Sequence, residues 1–221
     1  MDSYYYEEVL SPYNGLHTNL PFNFVLYELD NEQDAENYLG LLADAARYVA
    51  EDVLRFEQEK AERGTFMNDV TLDKVLEQIK DFADAGESCF LYATFGDSLA
   101  QLGLDAGTEA AYLAENEAAV DALLEAYQTL YDGLDALRGS CAGTGALHEH
   151  GAEGLAYFEE GLNAAACSSL TPEEAVTLLE NEIKAEYKKL ITILYTDEEA
   201  LEQYGTCLLY TSPSPRDAHE S

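Results

Sequence analysis

The stretch "NEQDAENYLGLLADAARYVAEDVLRFEQEKAERG", residues 31–64, decides the fold. Tyr38, Leu42, Ala45, Val49, Val53 and Phe56 recur in steps of three and four. That spacing lays one apolar stripe along a helix. The acidic start suits the positive end of the helix dipole, and "EKAERG" places basic residues just before a stopping glycine, Gly64.

The same pattern continues towards the C-terminus. In "TLDKVLEQIKDFADAG" (71–86), Leu72, Val75, Leu76, Ile79, Phe82 and Ala83 share a face, with Thr71 predicted as N-cap and Gly86 as stop. "SCFLYATFGDSLAQLG" (88–103) is more apolar and reads as a buried helix. A long helix is predicted over about 108–138, its stripe running from Leu123 and Leu124 through Tyr127, Leu130, Tyr131 and Leu134 to Leu137, with Gly139 closing it. After a glycine-rich loop, "GSCAGTGALHEHG" (139–151), comes a short helix, "AEGLAYFEEGL". "TPEE" (171–174) then has an N-cap Thr171, Pro172 in the first turn and Glu174 to complete a capping box. The helix it opens is expected to bury Val176, Leu179, Ile183, Tyr187, Leu190 and Leu194. "TDEE" (196–199) repeats the signature and opens a last helix.

Towards the N-terminus the character changes. "SPYNGLHTNLPFNFVLYEL" (11–29) is rich in Pro, Gly, Asn and aromatics. Its partial alternation predicts a short strand or an extended arm, with Pro12 and Pro21 holding the flanks extended. The expected fold is therefore mainly α: an irregular multi-helix assembly with a short extended or β arm near the N-terminus. The expected organisation is an arm at 1–30, a helical region at 31–206 and a non-native tail at 207–221.

Composition excludes several functions. The chain is 47% apolar and 25% charged, which is globular. It has no apolar run long enough for a membrane span and no basic-then-apolar leader at Met1. A net charge of −33 repels nucleic acid and anionic membrane surfaces. "DNEQDAEN" (30–37) lacks the glycine and spacing of a calcium loop. Cys89, Cys141, Cys167 and Cys207 form no CxxC pair and fit no zinc ribbon, so buried free thiols are expected, with one optional disulfide as the alternative, and Cys167 among small residues in the core.

Motif chemistry assigns no site. In "LHEHG" (147–151), His148 and His150 flank Glu149, but they are two apart and diverge on a helix, whereas a zinc motif needs residues four apart. The other histidines are His17 and His219. "AGTGALHEHG" lacks the lysine of a phosphate loop, and no serine sits in a nucleophile elbow. No catalytic, cofactor-binding or metal-ligating residue is assigned.

Several stretches in order do resemble one family. Ser11, Pro12, Gly15, Leu20 and Pro21 match the arm, and Asp34 to Leu42 the first long helix, of the bacterial domain-of-unknown-function 885 family. Gly64, Phe66 and Met67 match a characteristic helix-to-helix turn, Gly154 and Tyr157 a Gly-x-x-Tyr-Tyr-like segment, and "LTPEE" the following helix. The resemblance covers about residues 4–200. The family looks like zincin-type metallopeptidases, often lipoproteins. It implies a mostly helical scaffold, a peptide substrate, an exported or envelope location, and a zinc ion whose helical His-Glu motif lies beyond the region of resemblance. In such a protein zinc polarises the scissile carbonyl and activates water. The chain is accordingly expected to be a truncated N-terminal helical scaffold of a zinc-dependent peptidase, itself without metal motif or activity. The alternative is a non-catalytic helical binding or cell-envelope protein.

The tail "CLLYTSPSPRDAHES" (207–221) resembles a translated sequencing adapter, since a transposase-type library adapter encodes "CLLYTSPSPRD" in one frame. With two Ser-Pro steps and no helical stripe, it is expected to be a floppy end foreign to the fold.

Overall fold

A computed structural model describes residues 3–141 and 143–211. The chain divides into two compact units, Met1–Tyr157 and Phe158–Ser221.

In the first unit a 3₁₀ turn (Ser3–Tyr6) precedes α1 (Leu16–Val25). The 31–64 stretch forms α2 (Glu32–Arg47), a π-helical segment (Tyr48–Val53) and α3 (Leu54–Arg63) in unbroken succession. Then follow α4 (Asp69–Ala83), α5 (Phe90–Ala100) and α6 (Ala106–Asp135). A 3₁₀ turn (Leu147–His150) leads into α7 (Gly151–Ala166), whose residues from Phe158 on are counted with the second unit. α6 is the central rod: α2, α4, α5 and α3 all pack on it. Its stripe residues Leu123, Tyr127, Leu130 and Leu134 are essentially inaccessible, as are Leu42 and Val49 of the opening stretch and Leu72, Val75 and Ile79 of α4.

No strand occurs among the described residues, which corrects the expected β arm. "LHTNLPFNFV" is instead α1, with Pro21 inside it. Proline cannot donate to the carbonyl four residues back, His17. The Tyr127 hydroxyl of α6 donates to that carbonyl at 2.8 Å, so a distant tyrosine supplies the missing bond. Gly15, ahead of α1, has no room for a side chain: a Cβ there would lie 2.6 Å from the Ser11 nitrogen.

The π segment changes which residues of α3 face inward. Each four-residue step overshoots a full α-helical turn by about 40°. Ala45, Val49 and Val53 follow one another by one such step each, and the wider π turn keeps all three buried. The buried row then continues through Glu57 and Lys60, whereas Phe56, expected in the stripe, is only half-buried and stacks on Tyr5.

Helix starts shift slightly from expectation. Asn68, rather than Thr71, caps α4, its side chain accepting from Thr71 N at 3.0 Å. Gly64 closes α3 in the left-handed conformation, as its position before the turn requires (φ 76°).

The second unit contains α8 (Pro172–Thr196) and α9 (Glu198–Thr211), which pack on each other. The predicted capping box is present: Glu174 N donates to Thr171 Oγ1 at 3.2 Å and Thr171 N to Glu174 Oε2 at 2.9 Å. At the next junction Asp197, not Thr196, caps α9, accepting from Glu199 N and Ala200 N. The apolar stripe of α8 was expected to be buried, yet Val176, Leu179, Ile183 and Tyr187 are exposed. A stripe needs a facing layer, and α9 alone does not cover this one. α9 continues through Cys207 to Thr211, so the start of the segment read as a foreign tail is helical. The rest of that segment, 212–221 with His219, lies outside the described residues, as does the Cys207 side chain.

Candidate functional site

A polar hollow of the first unit, about 420 Å³, lies beneath the N-terminal arm. Its floor comes from the end of α3 and the α3–α4 connection: Lys60 of α3, then Thr65, Phe66 and Met67, then Asn68 and Thr71 at the start of α4. Tyr6, Glu8 and Leu10 of the arm form one side. The loop around Leu147, with His150 and Tyr157, forms the other. The turn "GTFM" (64–67), one of the stretches carrying the family resemblance, thus lies directly in the cavity wall.

Local chemistry fixes each wall. The arm is fastened to α3 by Tyr5, whose ring stacks on Phe56 at 5.6 Å and under the Arg63 guanidinium at 3.9 Å, and whose hydroxyl donates to Glu59 at 2.5 Å. Lys60 Nζ donates to the Glu7 carbonyl at 2.8 Å, drawing the backbone of the arm down. On the far side, Asn68 Nδ2 donates to Thr144 O at 2.7 Å and Gly139 N to Asp69 Oδ1 at 2.9 Å, tying the glycine-rich loop to α4. Tyr6 bridges arm and α7, donating to Glu153 at 3.2 Å and lying 5.2 Å from the His150 ring and 5.4 Å from Tyr157. Gly154 lets α7 press on the preceding turn, because a Cβ there would be 1.9 Å from the Leu147 carbonyl oxygen.

The electrostatic centre of the wall is a buried pair. Lys60 is 3% exposed and Glu57 fully buried, with Nζ 3.7 Å from Glu57 Oε2. That is ion-pair range but too long for a hydrogen bond. Neither Glu57 carboxyl oxygen has a hydrogen-bond partner. Burial pushes the Glu57 carboxyl up to about 7, against the opposing pull of Lys60.

Sequence reasoning singled out "LHEHG", and the structure gives its residues other partners. Glu149 accepts from Thr144 N, Thr144 Oγ1 and Gly145 N at 2.9–3.2 Å, pinning the loop, and those bonds hold its carboxyl below the usual range. His150 lies against Tyr6. His17 is far along the chain in α1, buried, with Nε2 2.9 Å from Gln78 Oε1. No group of three or more metal-capable side chains occurs among the described residues. Among the thiols, Cys89 is buried as expected, Cys141 is half-buried, and Cys167 is exposed at the end of α7 rather than in the core, where its backbone is left-handed (φ 49°).

Glu57 and Lys60 were not singled out, because both are charged and stand outside the apolar stripe. The available signal was spacing: they extend the row Val49, Val53 by further steps of four and three. Two other hollows offer less. One between α1 and α2, about 360 Å³, is mainly apolar and lined by Leu20, Phe24, Tyr27 and Leu41. Another, beside α6, has Tyr92 already bonded to Asp121 at 2.6 Å.

A helical scaffold with a polar cavity beneath a docked arm is thus the class of protein defined here. The chain belongs to a family of bacterial proteins of unknown function (DUF885), whose model matches residues 2–216. The match extends into the segment read as a foreign tail, through Arg216. No curated protein and no solved structure matches the chain.

Proposed function

We propose that this chain is the helical scaffold of a longer zinc-dependent peptidase and forms one wall of its substrate cleft, contributing no metal ligand. The observation that supports the reading is membership of the family over residues 2–216, together with the resemblance of that family's members to zincin-type peptidases. No catalytic step is assigned to the described residues, among which no group of three or more metal-capable side chains occurs. Sequencing the uninterrupted gene in both directions tests the reading. A downstream helical His-Glu motif, and one equivalent of zinc in the purified product by elemental analysis, are the expected results. A continuation without that motif would sink the proposal. The 221-residue chain is expected to show no chelator-sensitive peptide hydrolysis.

A second reading is favoured by the preformed cavity: a non-catalytic helical binding or envelope protein. Full-length protein free of stoichiometric zinc, yet able to bind a ligand, would select it over the first.

A further inference from the structure

The cavity beneath the arm has the chemistry of an anion site, and this conclusion needs neither the peptidase reading nor a metal. Its size falls in the range of small-molecule sites. Lys60 lines it although only 3% of the residue is exposed. An ammonium group has three donors. One is spent on the Glu7 carbonyl at 2.8 Å, and the Glu57 oxygen at 3.7 Å is too far to take a second. A buried lysine with donor capacity left therefore faces a cavity.

A second electropositive feature lies on the same wall. Asn68, the N-cap of the 15-residue α4, and Thr71 in its first turn both line the cavity; Thr71 N is bonded to Asn68 Oδ1, so this end contributes its dipole. The helix N-terminus carries partial positive charge there. The rest of the lining selects the body of the ligand. Leu10, Phe66, Met67 and Leu147 are apolar, and Tyr6 and Tyr157 present rings. Glu8 is the one carboxylate among the lining residues, and with a chain charge of −33 it weighs against any ligand carrying more than one negative charge.

We infer that the cavity binds a small monocarboxylate bearing an apolar or aromatic group, with the carboxylate on Lys60 and the start of α4 and the body against Phe66, Met67 and Leu147. A charge-assisted bond to the ammonium is the specificity element. The buried Glu57 is the internal competitor for that ammonium, so neutralising it should strengthen binding.

Isothermal titration calorimetry with N-acetyl-L-phenylalanine and with its carboxamide tests this on the chain itself. The two probes share size and apolar surface and differ in the charge that Lys60 would read. The acid should bind saturably and the amide at least tenfold more weakly. Glu57→Gln should tighten the acid several-fold. The double variant Glu57→Gln/Lys60→Met, which removes one charge of each sign, should weaken the acid at least tenfold while its helical circular dichroism is kept. Equal binding of acid and amide, no saturable binding of the acid at millimolar concentration, or undiminished acid binding by the folded double variant would overturn the inference. The acid–amide comparison needs no variant, so it decides even if the double variant does not fold. Zinc content plays no part in any arm, so failure here leaves the peptidase reading untouched.

Discussion

Glu57 is fully buried beside Lys60, with a carboxyl raised from about 4.5 to about 7. A raised carboxyl pKa means that the folded chain holds a proton the unfolded chain has released across that interval. The stabilisation is fully present below about pH 4.5 and is lost as pH rises through 7. The loss between pH 5 and pH 8 should be about 2–3 kcal/mol. His17 acts in the opposite sense: burial lowers its pKa, so its contribution is lost as pH falls below the usual imidazole value of 6.5. Comparison of Glu57→Gln with the parent isolates the first effect. Urea unfolding at pH 5, 6, 7 and 8 should show a flatter profile in the variant. Parallel profiles would mean that Glu57 is ionised in the fold across that range. Gly154 makes a second residue-scale test. Gly154→Ala places a methyl on the Leu147 carbonyl and should cost about 1–3 kcal/mol. Gly161→Ala, with open space around it in the same helix, should be neutral or stabilise by up to about 1 kcal/mol. Thermal unfolding of both proteins distinguishes the two outcomes.

At the scale of elements, α1 is a helix that its own sequence argues against. Pro21 removes a helical bond, and Tyr127 of α6 replaces it at the His17 carbonyl. Tyr127→Phe should therefore cost about 1–3 kcal/mol, the penalty for stranding a buried acceptor. In a Pro21→Ala background the alanine N–H can take that carbonyl, so the same tyrosine substitution should cost much less. The signature is a non-additive double-mutant cycle, measured by chemical denaturation. Additive costs would show that the hydroxyl does not stand in for the proline's missing donor. The π segment is the other element-level decision. It passes the buried row from Val53 to Glu57 and Lys60, and so brings a lysine to the cavity wall. By contrast, the capping box at Thr171 and Glu174 was legible in advance, since both partners sit within one turn of chain.

At the scale of the molecule, charge opposes compactness. The chain carries 44 acidic residues against 11 basic ones, and most ion pairs among the described residues are exposed and short-range along one helix. Such pairs contribute little each, whereas self-repulsion acts over the Debye length. That length shrinks from about 30 Å at 0.01 M salt to about 8 Å at 0.15 M. Added sodium chloride across this range should raise Tm by a few degrees, about 1 kcal/mol of relieved repulsion. A Tm that is flat or falls with salt would show that local pairing outweighs the net field.

By itself the sequence determined the helical class, the stripes of α2, α4 and α6, the glycine stop at Gly64 and the capping box of α8. These follow from apolar spacing and capping chemistry within a few residues of one another. The tertiary structure alone decided three things: that "LHTNLPFNFV" is helix and not strand, that α8's stripe is exposed, and that Glu57 and Lys60 are buried beside a cavity. The physical reason is the same in each case. A hydrogen bond from a residue 110 positions away, the lack of a covering layer, and a change of helical pitch are properties of the folded assembly that no local pattern of residue types carries.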